Sequence, residues 1–165
     1  MKKIDITFLP SIKGNYFDDD LIIDWCKKLN DSFDFINTYI PKNAEEAKIF
    51  LKKSNAAYGA LTKDLIGHCN DVQWLQAPQA APPPDFYYDE LINHPMTVTN
   101  FRGIYNDHIS HHILAMILSF SKSLNLYIHQ QSKRMWRPIT SDIGSTRYLP
   151  EMKIMIIGLG GIGDE

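Results

Sequence analysis

The first hundred residues alternate between two kinds of segment, and no other feature constrains this chain as strongly. Short β-rich runs at residues 3–9, 33–39, 55–61, 72–77 and 96–100 are separated by stretches with helical spacing. Strands joined through helical crossovers lie parallel, and a parallel sheet has to be covered on both faces. The expectation is therefore an α/β fold: a three-layer unit over residues 1–100, with five parallel strands and helices on both sides. Within it, residues 10–15 read as a turn and residues 18–30 as a helix. Acidic residues sit at the start of that helix, and Leu21, Ile22, Trp25 and Leu29 form its buried face. Asn43 and Thr62 occupy N-cap positions, the first before a helix made solvent-facing by Glu45, Glu46, Lys48 and Lys52. A short helix over Leu65 and Ile66 and another near residues 85–93 complete the layers.

The character changes after Asn100. Residues 106–131 contain neither proline nor glycine and read as one long helix. Ile109, Ile113, Met116, Ile117, Phe120 and Leu124 form a single stripe, widened by Leu114 and Leu118, which is too broad to be covered by its own loops. Residues 136–150 read as a loop. The run 153–157 then reads as a buried parallel strand, and it leads into Gly158-x-Gly160-x-x-Gly163. In a strand–glycine loop of this kind, the first glycine permits a tight turn. The second lets backbone approach a pyrophosphate, and the third lets the next helix pack close to the strand. The following helix would hold the phosphates at its N-terminus. That helix, and an acidic residue about 20 positions on for the ribose, lie beyond residue 165.

Composition narrows the classes. The chain has 165 residues, 44% hydrophobic and 22% charged, with a formal net charge of −2. This is ordinary for a globular protein and argues against a nucleic-acid partner. No apolar run approaches the roughly 20 residues a membrane span needs. The N-terminal run is broken by Asp5, Thr7 and Pro10, so it reads as a first strand and not as a secretion signal. Cys26 and Cys69 are isolated, which fits reduced thiols and a cytoplasmic location; Cys26 reads as a small core residue.

Other candidate groups carry less. His108, His111 and His112 share one side of a helix at a spacing that can hold a metal. The same spacing suits a polar helix start, and no metal ligand is assigned. Trp136-Arg137 suits an anion clamp or an interface tryptophan, and Tyr87-Tyr88 reads as packing. His68, His94 and His129 are likewise unpaired with any acid in the pattern, so no catalytic residue is assigned.

Three stretches taken together, VQWLQAPQAAPPP, MTVTNFRGIYNDHISHHILAMILSF and LPEMKIMIIGLGGIG, resemble the D-isomer-specific 2-hydroxyacid dehydrogenases, from about Asn55 to the end. The resemblance implies a flavodoxin-like substrate domain at 1–100, and a hinge, linking helix and loop at 101–150 through which the chain homodimerises. Residues 151–165 would be the start of a Rossmann domain. It implies an NAD(P)-dependent oxidoreductase acting on the CH–OH group of D-2-hydroxy acids. Reduction of glyoxylate or hydroxypyruvate, or oxidation of 3-phosphoglycerate, would be typical. Gly158, Gly160, Gly161, Ile162 and Gly163 would line the NAD pyrophosphate, with NADP as an alternative cofactor. Backbone N–H groups of Gln79, Ala80 and Ala81 would face the substrate carboxylate, with Asn100 and Arg102 at the hinge. The chain departs from the family in three places. Pro82, Pro83 and Pro84 replace a stretch that usually holds a glycine and an acid, and proline donates no hydrogen bond. His111 stands where a glutamate is common. The family's catalytic Arg, Glu and His fall beyond residue 165. The expectation is an inactive N-terminal fragment, the rival being a non-catalytic α/β binding or dimerisation module.

Overall fold

The computed structural model describes residues 3–9, 19–139 and 146–165; the expected turn at 10–15 and the start of the first helix lie outside them. The chain divides into two compact units, Met1–Arg102 and Gly103–Glu165.

The first unit is built on five strands: β1 (Ile4–Phe8), β2 (Ile36–Tyr39), β3 (Ala56–Tyr58), β4 (Trp74–Gln76) and β5 (Thr97–Thr99). All four pairings are parallel and the order is β2-β1-β3-β4-β5. This is the flavodoxin-like order, with its switch point between β1 and β3. Side-chain alternation assigns each strand residue to one of two cores. On one face, Phe8 and Tyr58 pack with Ile22 and Cys26 of α1 (Asp19–Ser32). On the other, Ala57, Leu75 and Ala77 pack under α2 (Ala44–Leu51), α3 (Lys63–Ile66) and α4 (Asp89–Ile92). The expected three layers are present. Leu21, expected in the core, is 43% exposed; Cys26, one turn beyond Ile22, takes that place on the buried stripe. The second run, expected to be strand from residue 33, pairs only from Ile36, because Phe33–Phe35 is spent on the turn out of α1.

Local chemistry explains the boundaries. The Asn43 side chain accepts a hydrogen bond from the Glu46 amide at 2.9 Å, and the Glu46 carboxylate accepts from the Lys42 amide, so α2 is capped as its sequence predicts. Thr62 also precedes a helix, but its hydroxyl donates to the Asp64 carboxylate and caps nothing. That bond holds the Asp64 carboxyl below its ordinary range. The segment expected as one helix near 85–93 is a 3-10 turn at Pro84–Phe86 followed by α4. Two buried hydroxyls, Thr7 and Ser54, satisfy each other at 2.7 Å, and Ser54 also donates to the Phe50 carbonyl, so neither is left unpaired in the core.

The second unit differs from the sequence expectation in two respects. The long helix is two helices, α5 (Asn106–Ser121) and α6 (Leu124–Ser132), broken at Ser123, whose φ is 56°. Serines flank the break: the Ser121 hydroxyl donates to the Leu118 carbonyl at 3.0 Å, local bonding that competes with the helical ladder. The run 153–157 is extended but has no strand partner among the described residues, and Met155 and Ile157 are 85% and 92% exposed. An apolar run becomes a buried strand only when neighbours pair with it, so the expectation of burial is not met. The helix expected beyond residue 165 begins within the glycine loop: Gly161–Asp164 form one helical turn, α7, which contains Gly161 and Gly163. Among the described residues of this unit only Ser121 and Ser123 are buried.

One glycine holds the switch point together. Gly59 follows β3 with φ +117°, and a Cβ there would collide with the Leu9 carbonyl oxygen, while the Leu9 amide donates to the Tyr58 carbonyl at 2.8 Å. Gly59→Ala should therefore lower stability by about 1–3 kcal/mol. Gly67→Ala, at a right-handed helix end with open space around it, should change it by less than about 1 kcal/mol. Urea unfolding of the two variants checks this contrast.

Candidate functional site

Two groups of candidate residues lie in different units, and each is described by itself. In the first unit the loop after β4 is pinned at both ends. The Ala77 amide donates to the Thr99 carbonyl at 2.8 Å, and the Gln79 carbonyl accepts from the Phe101 amide at 3.5 Å. The loop thus follows the end of β5, and the structure brings Gln79, Ala80, Ala81, Asn100 and Arg102 to the carboxyl ends of the last two strands, where ligands of open α/β sheets bind. Asn100 spends its side-chain oxygen on the Arg102 amide at 3.1 Å, which fixes the turn after β5. Its side chain and that of Arg102 are both exposed.

The three prolines set the loop's donor pattern. Pro82, Pro83 and Pro84 carry no N–H, and Pro83 is extended (φ −66°, ψ 160°) before Pro84 opens the 3-10 turn. Neither the Ala80 nor the Ala81 amide makes a backbone hydrogen bond among the described residues. Those two N–H groups are what the loop can offer an anion. The Gln79 side-chain oxygen is buried and has no hydrogen-bond partner among the described residues. Sequence reasoning counted only this residue's backbone, since burial of one atom is not written in a motif. It likewise missed Gly59, although a glycine closing an apolar run is a signal for a special backbone angle.

Nearby groups are inert. Tyr88 donates to the Leu61 carbonyl at 3.1 Å, and burial pushes its phenol up to about 12. Burial also pushes the Cys69 thiol up to about 12 and raises that of Cys26. Neither thiol has thiolate character at neutral pH. Both cysteines are unpaired and buried, and Tyr88 packs as its sequence predicts.

In the second unit the glycine loop follows the extended run. Gly158 has φ +97°, which a side chain rarely tolerates. Gly160 caps α7 in extended geometry, its carbonyl accepting from the amides of Gly163 and Asp164 at 2.9 and 3.0 Å. A Cβ on Gly160 would meet nothing within 4 Å, whereas one on Gly163 would strike the Gly158 carbonyl oxygen and one on Gly161 the Asn106 side chain. The three motif glycines thus have three separate steric roles: turn, open approach and close helix packing. Beside them runs an apolar groove of about 730 Å³ between α5 (Ile113, Leu114, Ile117) and Ile154–Ile157.

Of the other sequence candidates, His111 lines this groove. His108, His111 and His112 are exposed on α5, and no group of three or more metal-ligating side chains occurs among the described residues. Trp136 is 77% exposed and stacks on Tyr127 with ring centroids 5.4 Å apart. No helix among the described residues is long and apolar enough to cross a membrane.

No family model and no curated protein sequence matches the chain. Solved structures do. A D-lactate dehydrogenase from Treponema pallidum superposes with a TM-score of 0.67 at 20% identity, over 97% of this chain and 48% of its own. A D-isomer-specific 2-hydroxyacid dehydrogenase family protein from Klebsiella pneumoniae 342 gives 0.67 at 18% identity, over 99% and 47%. A D-lactate dehydrogenase from Aquifex aeolicus, solved with NAD and lactic acid, gives 0.63 at 17%, over 96% and 46%. The chain spans about half the length of these structures. Its fold is that of the D-isomer-specific 2-hydroxyacid dehydrogenases.

Proposed function

We propose that this chain is the substrate-domain half of an NAD-dependent oxidoreductase of D-2-hydroxy acids, with the beginning of its nucleotide-binding unit. The observation that carries this reading is the division of labour among Gly158, Gly160 and Gly163, which is what a dinucleotide loop requires. Gly160, Gly161, Ile162 and Gly163 would face the pyrophosphate of NAD, or of NADP, across the space that Gly160 leaves open. When bound, the nucleotide would exchange a hydride with the substrate, its reduced form donating to a 2-keto acid and its oxidised form accepting from a 2-hydroxy acid. The amides of Ala80 and Ala81 receive the carboxylate of a small 2-keto or 2-hydroxy acid such as glyoxylate, hydroxypyruvate or 3-phosphoglycerate, with Asn100 and Arg102 shaping the hinge. The unpaired thiols of Cys26 and Cys69 suit a cytoplasmic setting.

The loop reading is tested with Gly160→Val. Because nothing occupies the space around Gly160, the variant should keep its fold while its side chain takes the pyrophosphate's place. The wild-type chain should show weak but saturable NAD binding by ligand-observed NMR, weak because only one helical turn backs the loop. The variant should show none. Equal binding by both would defeat the assignment.

Catalysis needs a proton donor and a cation at the keto oxygen, and no residue described above holds either position. The 165-residue chain alone should therefore oxidise NADH with glyoxylate or hydroxypyruvate no faster than buffer. Saturable turnover would place the catalytic groups among the present residues.

A second reading, a binding or dimerisation module, draws on α5, where Ile113, Leu114 and Met116 are 45%, 52% and 49% exposed and Phe120 64%. Apolar area of this kind marks an interaction surface. Phe120→Glu should shift the chain from dimer toward monomer in sedimentation velocity. An unchanged dimer would move the interface off this helix.

A further inference from the structure

The groove beside the glycine loop has a second wall whose polar side chains the loop reading leaves unused. That wall is α5. Its polar end is made by Asn106, Ser110 and His111, before the apolar run of Ile113, Leu114 and Ile117. Gly158, Gly160, Gly161 and Gly163 line the same cavity of about 730 Å³. The two walls are held close at the start of α5, because a Cβ on Gly161 would strike the Asn106 side-chain amide. The sequence places His108, His111 and His112 on one side of the helix, yet of the three only His111 lines the groove. It is also exposed, so a ligand entering from solvent reaches it directly.

The charges of the lining decide what His111 can do. A phosphate group leaves water only where donors or positive charge replace its hydration. Glu165 is the acid of the lining and opposes an anion, and no ion pair among the described residues joins it to His111. Ser110 has spent its hydroxyl proton on the Asp107 carbonyl at 2.9 Å. The side-chain donors that α5 leaves to the groove are therefore the Asn106 amide and the His111 ring. Of the described lining residues, His111 is the one whose side chain can carry positive charge. We propose that His111 is a binding residue for a diphosphate: its ring N–H donates to a phosphate oxygen of the nucleotide held by the glycine loop, so that the anion is met from both walls of the groove. The inference rests on the loop reading above and deepens it, adding a charged side-chain contact to a site otherwise made of backbone. Hydrogen bonds from a cation to a phosphate are shorter and stronger than neutral ones.

The test follows the His111 ring by NMR, its signals assigned through His111→Gln, while the isotope-labelled full chain is titrated with NAD, inorganic pyrophosphate and adenosine. NAD and pyrophosphate should shift both the ring and the amides of Gly158–Gly163. Adenosine, which has no phosphate, should leave the ring unmoved. His111→Gln should bind NAD about 10-fold more weakly, the worth of a hydrogen bond to a charged group, and His111→Glu more weakly still. His111→Arg, which restores a cationic donor, should keep the wild-type affinity. These replacements fall at an exposed position and are good helix formers, so each variant should melt with the wild type. If NAD shifts the glycine amides but not the ring, or if His111→Gln binds as the wild type does, the inference fails while the loop reading stands. If adenosine moves the ring as far as NAD does, the contact is to the nucleoside and the inference also fails. If no ligand shifts the glycine amides, the loop reading itself fails and takes the inference with it.

Discussion

The structure depends on one constraint: a central parallel strand has to be paired along both edges and covered on both faces. In the first unit β1 meets it fully, lying between β2 and β3 with α1 on one side and α2 on the other. Its residues divide accordingly, Phe8 into one core and Leu9 into the other. Thr7 points into the apolar layer, and its hydroxyl is tolerated because Ser54 answers it. The register that sets Tyr58 beside Gln76, and Gln76 beside Thr99, brings the loop after β4 and the turn after β5 to the same end.

The second unit shows the same constraint unmet. The run from Ile154 to Ile157 has the composition of a central parallel strand, yet it stands exposed beside α5. Its glycine loop nevertheless holds its shape, because that shape is local. A positive φ at Gly158, an open flank at Gly160 and the approach of Gly163 to the Gly158 carbonyl are set within six residues. The shape of this glycine turn is thus set without a paired strand before it among the described residues.

Function in the two units rests on different physics. The glycine loop offers steric access; the loop after β4 offers hydrogen-bond donors whose number is limited by three prolines.

By itself the sequence determined the α/β alternation, the five strands, the Asn43 cap and the glycine turn, because each depends on neighbours within a few residues. Asn43 and Glu46 are three apart, and Gly158 to Gly163 spans one loop. Where the expectation failed, distance in the chain was the reason. Cys26 lies in the core as expected, whereas Leu21, which fits the same helical pattern, is 43% exposed because Phe8 and Tyr58 meet α1 at Ile22 and Cys26. The break at Ser123, whose φ is 56°, falls in a stretch with neither proline nor glycine, and periodicity does not record it. The burial of Gln79 and the collision that reserves position 59 for glycine were decided by tertiary structure alone. The first requires the ends of β4 and β5 to lie side by side, and the second requires Leu9, fifty residues earlier, to arrive against β3.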